Sequence, residues 1–99
     1  MIAHLGLGAD AARSIGEIAE MDGCSRREVE AFIQRARLNG TPIVSGSRGV
    51  WIATSDEEAL AWCEKQRSRA IHLMESAQGV QRGVEARRAT GEQTELWAA

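Results

Sequence analysis

The sequence predicts a mainly α chain with one small β-hairpin: two helices joined by a tight turn, the hairpin, and a long C-terminal helix. Three observations carry this. Two capping boxes, Ser14-x-x-Glu17 and Ser25-x-x-Glu28, flank the turn residues Asp22-Gly23-Cys24. After Gly40 the apolar period drops from 3.6 to 2. A further box, Ser55-x-x-Glu58, opens a run that stays helical in composition for some thirty residues.

Residues 1–13 give the weakest signal. Ile2, Leu5 and Leu7 fit a short helix or an apolar leader. Gly6-Leu7-Gly8-Ala9-Asp10-Ala11 matches a dinucleotide fingerprint by letter, but that chemistry needs a preceding strand and a crossover helix in a parallel sheet. Neither is in evidence, so a loop or a poor helix is the better reading. Ser14 caps the first helix, with Ile15, Ile18 and Ala19 facing inward and Met21 a further candidate.

The helix over about 25–39 organises the rest. Val29, Phe32, Ile33 and Ala36 fall at i, i+3, i+4 and i+7, one apolar stripe. The opposite face carries Arg27, Ala31 and Gln34, flanked by Glu30 and Arg35. Asn39-Gly40 supplies a left-handed stop, and Pro42 forbids continuation. Taken alone, this is either an ordinary surface helix or one that sits on a core and presents arginine and an amide to a groove.

Pro42-Ile43-Val44-Ser45 and Val50-Trp51-Ile52-Ala53 read as two strands, rich in β-branched and aromatic residues. The hairpin between them turns at 46–49, with two glycines available for positive φ. Ile43 and Ile52 should face the helices, and Trp51 should point the other way, onto the C-terminal helix.

That last helix begins near Asp56. Leu60, Cys63, Ala70, Ile71, Met74 and Ala77 approximate a seam, interrupted by Arg67. Gly79 and Gly83 each cost about 1 kcal/mol in a helix, so fraying or an end is expected there. Carried to Arg88, it would span roughly 50 Å at ~1.5 Å per residue. A core of this size cannot cover such a length, so Ile71, Met74 and Ala77 are candidate dimerisation residues and a homodimer is expected. The organisation is thus 1–54 as a helical domain with hairpin, 55–90 as the long helix, and 91–99 as a mobile tail carrying Leu96 and Trp97.

Composition narrows the classes of function. The chain has 99 residues and net charge −2, so any nucleic-acid binding must come from a local patch and not from a basic coat. The acid excess lies in the second half; residues 1–54 balance six arginines against six acids. Cys24 and Cys63 are far apart, with no CxxC and no histidine at ligand spacing, so free thiols are expected and no metal or cofactor. No P-loop, no G-x-S-x-G elbow and no nucleophile near His4 or His72 in sequence points to catalysis; an enzyme is not expected. There is neither a secretory signal nor a membrane-length apolar run, so no membrane partner and a cytoplasmic location are expected.

The blocks Ile15-x-x-Ile18-Ala19, Ser25-Arg26-x-x-Val29-x-x-x-Ile33, Arg37-x-x-Gly40-x-Pro42-Ile43 and Gly49-Val50-Trp51-Ile52 resemble the N-terminal winged helix-turn-helix domain of biotin operon repressors. Small bacterial, phage and prophage DNA-binding proteins look similar. The likeness covers about residues 14–54. It departs at Ala36, where the family has a larger apolar residue, in the short leader, and in the acids Glu28 and Glu30 on or beside the reading helix.

The resemblance implies a transcriptional regulator of double-stranded DNA, with the helix at 25–39 in the major groove and the wing at 46–49 on the backbone or minor groove. Arg27, Gln34, Ala31 and Glu30 are then the candidates for base contact, because arginine suits guanine and glutamine adenine. Arg26, Arg35, Arg37, Ser47 and Arg48 are the candidates for backbone or wing contact. The alternative is a protein-interaction module, binding a phage or host protein through the same winged helix and the acidic C-terminal helix.

Overall fold

The structure, a computed structural model, describes residues 4–91. It is mainly helical, with a two-stranded antiparallel hairpin and a long C-terminal helix. The elements are α1 (Ile15–Asp22), α2 (Arg26–Leu38), β1 (Ile43–Gly46), β2 (Gly49–Ile52) and α3 (Asp56–Thr90). The chain divides into two compact units, Met1–Glu64 and Lys65–Ala99, so the opening turns of α3 belong with the first unit.

Two of the three expected capping boxes form in full; at the third, Ser55 Oγ accepts from the Glu58 amide at 3.1 Å, but the Glu58 carboxylate accepts from the Thr54 amide at 3.0 Å. Ser14 Oγ accepts from the Glu17 amide at 3.0 Å, and Ser25 Oγ from the Glu28 amide at 3.1 Å. Each glutamate reaches back to its serine's own amide. These bonds satisfy amides that have no partner inside the helix. Gly23 closes α1 at φ +65, the left-handed conformation that lets α2 start three residues later. Gly40 ends α2 in the same way at φ +95.

The first unit's core is Ile18 and Ala19 from α1, Val29 and Ile33 from α2, and Ile43 and Val50 from the hairpin. Phe32, Ala36, Ile15 and Ile52 pack at its margin, as the sequence spacing requires. Ala36, small as it is, is half-buried there. Met21 remains 48% exposed, so α1 turns only its Ile15–Ile18–Ala19 stripe inward.

The strands lie one residue closer to the turn than expected, pairing Ile43 with Ile52 and Gly46 with Gly49. Of the hairpin's two glycines, Gly49 alone takes positive φ, at +126. The reason is a close approach: a Cβ there would lie 2.2 Å from the Arg13 carbonyl oxygen. The leader runs along the free edge of β2. Val50 and Arg13 exchange amide–carbonyl bonds, the Gly8 amide donates to Ile52 O, and the Ile52 amide donates to Gly6 O. The glycines of the apparent dinucleotide motif therefore serve backbone contact; Gly6 packs on Ala11, beside a single 3-10 turn at Ala9–Ala11.

α3 runs through Gly79 and Gly83 without a break and stops at Gly91, φ +67. Arg82, Glu85, Ala86 and Arg87 around them are good helix formers, and two isolated glycines are tolerated in such company. No residue of α3 is fully buried. Among the described residues, no helix is long and apolar enough to cross a membrane. Ile2, Leu96 and Trp97, and with them the tail 92–99, lie outside the described residues.

Candidate nucleic-acid interface

α2 buries Val29 and Ile33 and thereby fixes what it shows to solvent. Arg27, Ala31, Gln34 and Leu38 follow one another at i, i+4, i+7 and i+11, and all four are exposed. Leu38 is 76% exposed, an apolar end to a row that begins with a cation. Glu30 and Arg35 flank this row, also exposed. The candidates for base contact thus share one accessible surface.

Beside them lies an open groove of about 360 Å³ between α2 and the hairpin. Glu30 and Gln34 line one wall, Ser45 and Val50 the other, with Arg37 among the lining residues. Ser47 and Arg48, both exposed, form the two-residue tip of the hairpin.

The candidates for backbone contact differ in freedom. Arg35 and Arg48 are exposed cations. Arg26 is exposed but leans on α1: a Cβ at Gly16 would come 2.7 Å from its Nη2. Arg37 is committed to the fold. Its Nε donates to Ile43 O at 2.8 Å, and its guanidinium lies 4.5 Å from the Trp62 ring centroid. Nη2 is buried with no hydrogen-bond partner among the described residues. Burial pushes the Arg37 pKa down from its ordinary value, though a guanidinium stays charged. Its role is to join α2, β1 and α3, where the sequence suggested a phosphate contact.

Both tryptophans of the first unit tie α3 to the hairpin. Trp62 Nε1 donates to Ser45 Oγ at 3.1 Å, and Trp51 Nε1 to Glu58 Oε2 at 3.2 Å. Trp51 packing on the last helix was legible in the sequence; Trp62 was not singled out. The signal was present, since Trp62 lies one residue from Cys63 on the same side of the helix as Ala59. A second unforeseen contact involves His4. Its Nδ1 sits 2.6 Å from Asp22 Oδ1, and its carbonyl accepts from Arg13 Nη1 at 2.9 Å. The leader is pinned in this way to the end of α1, next to the turn that launches α2.

The dimerisation candidates lie on the second unit's helix. Ile71 is 56% and Met74 60% exposed, and Ala77 is exposed too. Helix geometry spreads them: at about 100° per residue, Ile71, Met74 and Ala77 fall about 60° apart in turn, so Ile71 and Ala77 lie about 120° from each other. Cys24 and Cys63 are free and half-buried.

Comparison with family models, with curated proteins and with solved structures finds no match to this chain.

Proposed function

We propose that this chain is a small DNA-binding regulator of winged helix-turn-helix type, working in the cytoplasm of a bacterium on host or phage DNA. α2 is the reading helix and the hairpin tip is the wing. The observation that carries this is the exposed row Arg27–Ala31–Gln34–Leu38, next to a groove whose far side leads to Arg48. A basic patch so local fits a protein of near-neutral charge. Phosphate contacts then come from Arg35, Arg48 and Arg26, and sequence is read by the row itself.

The spacing sets the shape of the site. Arg27 and Gln34 are seven residues apart, roughly 10 Å along the helix. That is about three base pairs at 3.4 Å each. A guanine taken bidentately by Arg27 and an adenine taken by Gln34 belong about three steps apart. Ala31 and Leu38 offer only apolar contact, which suits a thymine methyl. Glu30 can accept from a cytosine amine. Selection of bound duplexes from a random pool tests this. A G and an A in that relation are expected; recovery of unselected sequence would refute specific reading.

One observation favours a second reading, a protein-interaction module. Leu38 is a large, exposed apolar side chain beside Glu30 and Arg35, the mixture expected at a protein interface. Folded protein that fails to shift any duplex at low salt selects that reading.

A further inference from the structure

The distal part of α3 carries a strict repeat that is independent of the DNA reading. Gln66, Ala70, Leu73, Ala77, Val80 and Val84 follow at intervals of 4, 3, 4, 3 and 4. Alternating threes and fours over several turns is the seam of a left-handed two-helix coil. Leu73 is 65% and Val80 70% exposed, while the row's small members, Ala70 and Ala77, are exposed beside them. Ile71 is off this row and Met74 lies at its edge.

We propose that this row docks the same row of a second copy, antiparallel, with the two-fold axis near position 75. The size pattern selects the direction. Antiparallel, Leu73 meets the partner's Ala77, Ala70 meets the partner's Val80, and Gln66 meets the partner's Val84. Large faces small in the four central layers, the meshing that close packing requires. Parallel, each residue meets its own equivalent: alanine on alanine leaves gaps, and leucine on leucine holds the helices apart.

Charge selects the same direction. The next position of the row after Val84 is Arg87. A parallel pair sets the two Arg87 side chains against each other across the seam. An antiparallel pair about position 75 separates them by roughly 36 Å along the axis, at ~1.5 Å per residue. The acids Glu64, Glu75 and Glu85 lie off the seam, so no carboxylate is buried in it. The helix dipoles are opposed in this arrangement, which also favours it. On one flank Gly79 and Gly83, with Val80, Val84 and Arg87, line a groove of about 550 Å³. There a neighbouring helix approaches without meeting a side chain at either glycine.

Sedimentation of the full chain across micromolar concentrations should show a reversible dimer. Leu73→Asp with Val80→Asp should abolish it, with tryptophan emission reporting an intact first unit. Ile71→Asp, the same charge on the other side of the helix, should leave it. Direction is read from a spin label on Glu85→Cys in a Cys24→Ser, Cys63→Ser background. Antiparallel packing places the two labels about 30 Å apart along the axis. Parallel packing keeps them within about 20 Å, two helix diameters. A monomer at every concentration, a dimer that survives the double aspartate, equal loss with Ile71→Asp, or the short label distance would each overturn the proposal.

Discussion

Arg37 lies over the ring of Trp62, 4.5 Å from its centroid, while its Nε donates to the Ile43 carbonyl at 2.8 Å. One side chain thus joins α2, the first strand of the hairpin and the opening of α3. The planar guanidinium makes this possible: its edge donates while its face stacks. A cation on a ring contributes about 0.5–2 kcal/mol. A hydrogen bond from a charged donor contributes about 1.5–3 kcal/mol.

Arg37→Ala should therefore destabilise the first unit by about 2–3 kcal/mol, less than the sum because the terms share one side chain. Arg37→Lys should recover little, since an ammonium cannot stack and donate edgewise at once. Trp62→Phe keeps a ring face but loses the bond to Ser45, a cost of about 1 kcal/mol. Urea unfolding followed by tryptophan emission measures all three. An Arg37→Ala chain as stable as the wild type would show the contact to be idle.

Gly49 is the second structural test. Its φ of +126 is unfavourable for any residue with a Cβ, and that Cβ would collide with the Arg13 carbonyl at 2.2 Å. Gly49→Ala must push the leader off β2 or distort the hairpin. A loss of about 2 kcal/mol or more is expected. Hydrogen exchange should locate the damage at the Val50 and Arg13 amides, which bond each other's carbonyls. Gly40→Ala, also at positive φ but with open space around it, should cost less.

A pH effect follows from Glu17. The Ser14 backbone amide, then the Ser14 hydroxyl, hold its pKa below the ordinary 4.5. A carboxylate with a depressed folded pKa stabilises above its unfolded pKa, and the effect is lost as pH falls through the folded value. The α1 cap should therefore weaken below pH 4.5, down through that lower value. Glu17→Gln should remove this part of the acid dependence. Since the group is fully exposed, NMR titration of the Glu17 carboxyl is a better readout than global stability. A titration at the ordinary value would contradict the capping geometry.

What the sequence revealed and what it hid follow one physical division. Helix caps, the turn glycine and the α2 stripe depend on residues a few positions apart, so Ser14, Ser25, Gly23 and Val29–Ile33 could be read directly. The change of period after Gly40 likewise announced the hairpin. Contacts between distant segments left no local trace. His4 to Asp22, Arg13 to Val50 and Arg37 to Trp62 each depend on the fold being made first. Arg37 is the instructive case. Its basic charge suggested a phosphate contact, but it falls on the shoulder of α2 beside Ile33, where the chain has better use for a fork of donors. On α3, the approximate seam through Ala70, Ile71, Met74 and Ala77 mixes two sides of the helix, while the intervals of three and four lead through Leu73 and Val80.

The DNA reading is open to measurement through charge. Once Arg37 is set aside, the exposed arginines on α2 and the hairpin tip are Arg26, Arg27, Arg35 and Arg48. Each phosphate neutralised contributes about −0.9 to the slope of log K against log salt; with Arg27 on a base, the phosphate contacts of Arg26, Arg35 and Arg48 give about −3 per chain. Fluorescence anisotropy with a selected duplex gives this slope. Arg48→Ala, at the hairpin tip, should weaken every sequence alike and reduce the slope by about 1. Arg27→Ala should cost about 1–3 kcal/mol on the preferred site and relax the requirement for guanine there. Gln34→Ala should relax a position about three base pairs away and leave the guanine preference intact. Equal losses from Arg27→Ala on all sequences would reassign Arg27 to the backbone. Arg37→Lys supplies the control. If its affinity falls only in step with the folded fraction, Arg37 acts through the fold; a loss beyond that would place its guanidinium on the DNA.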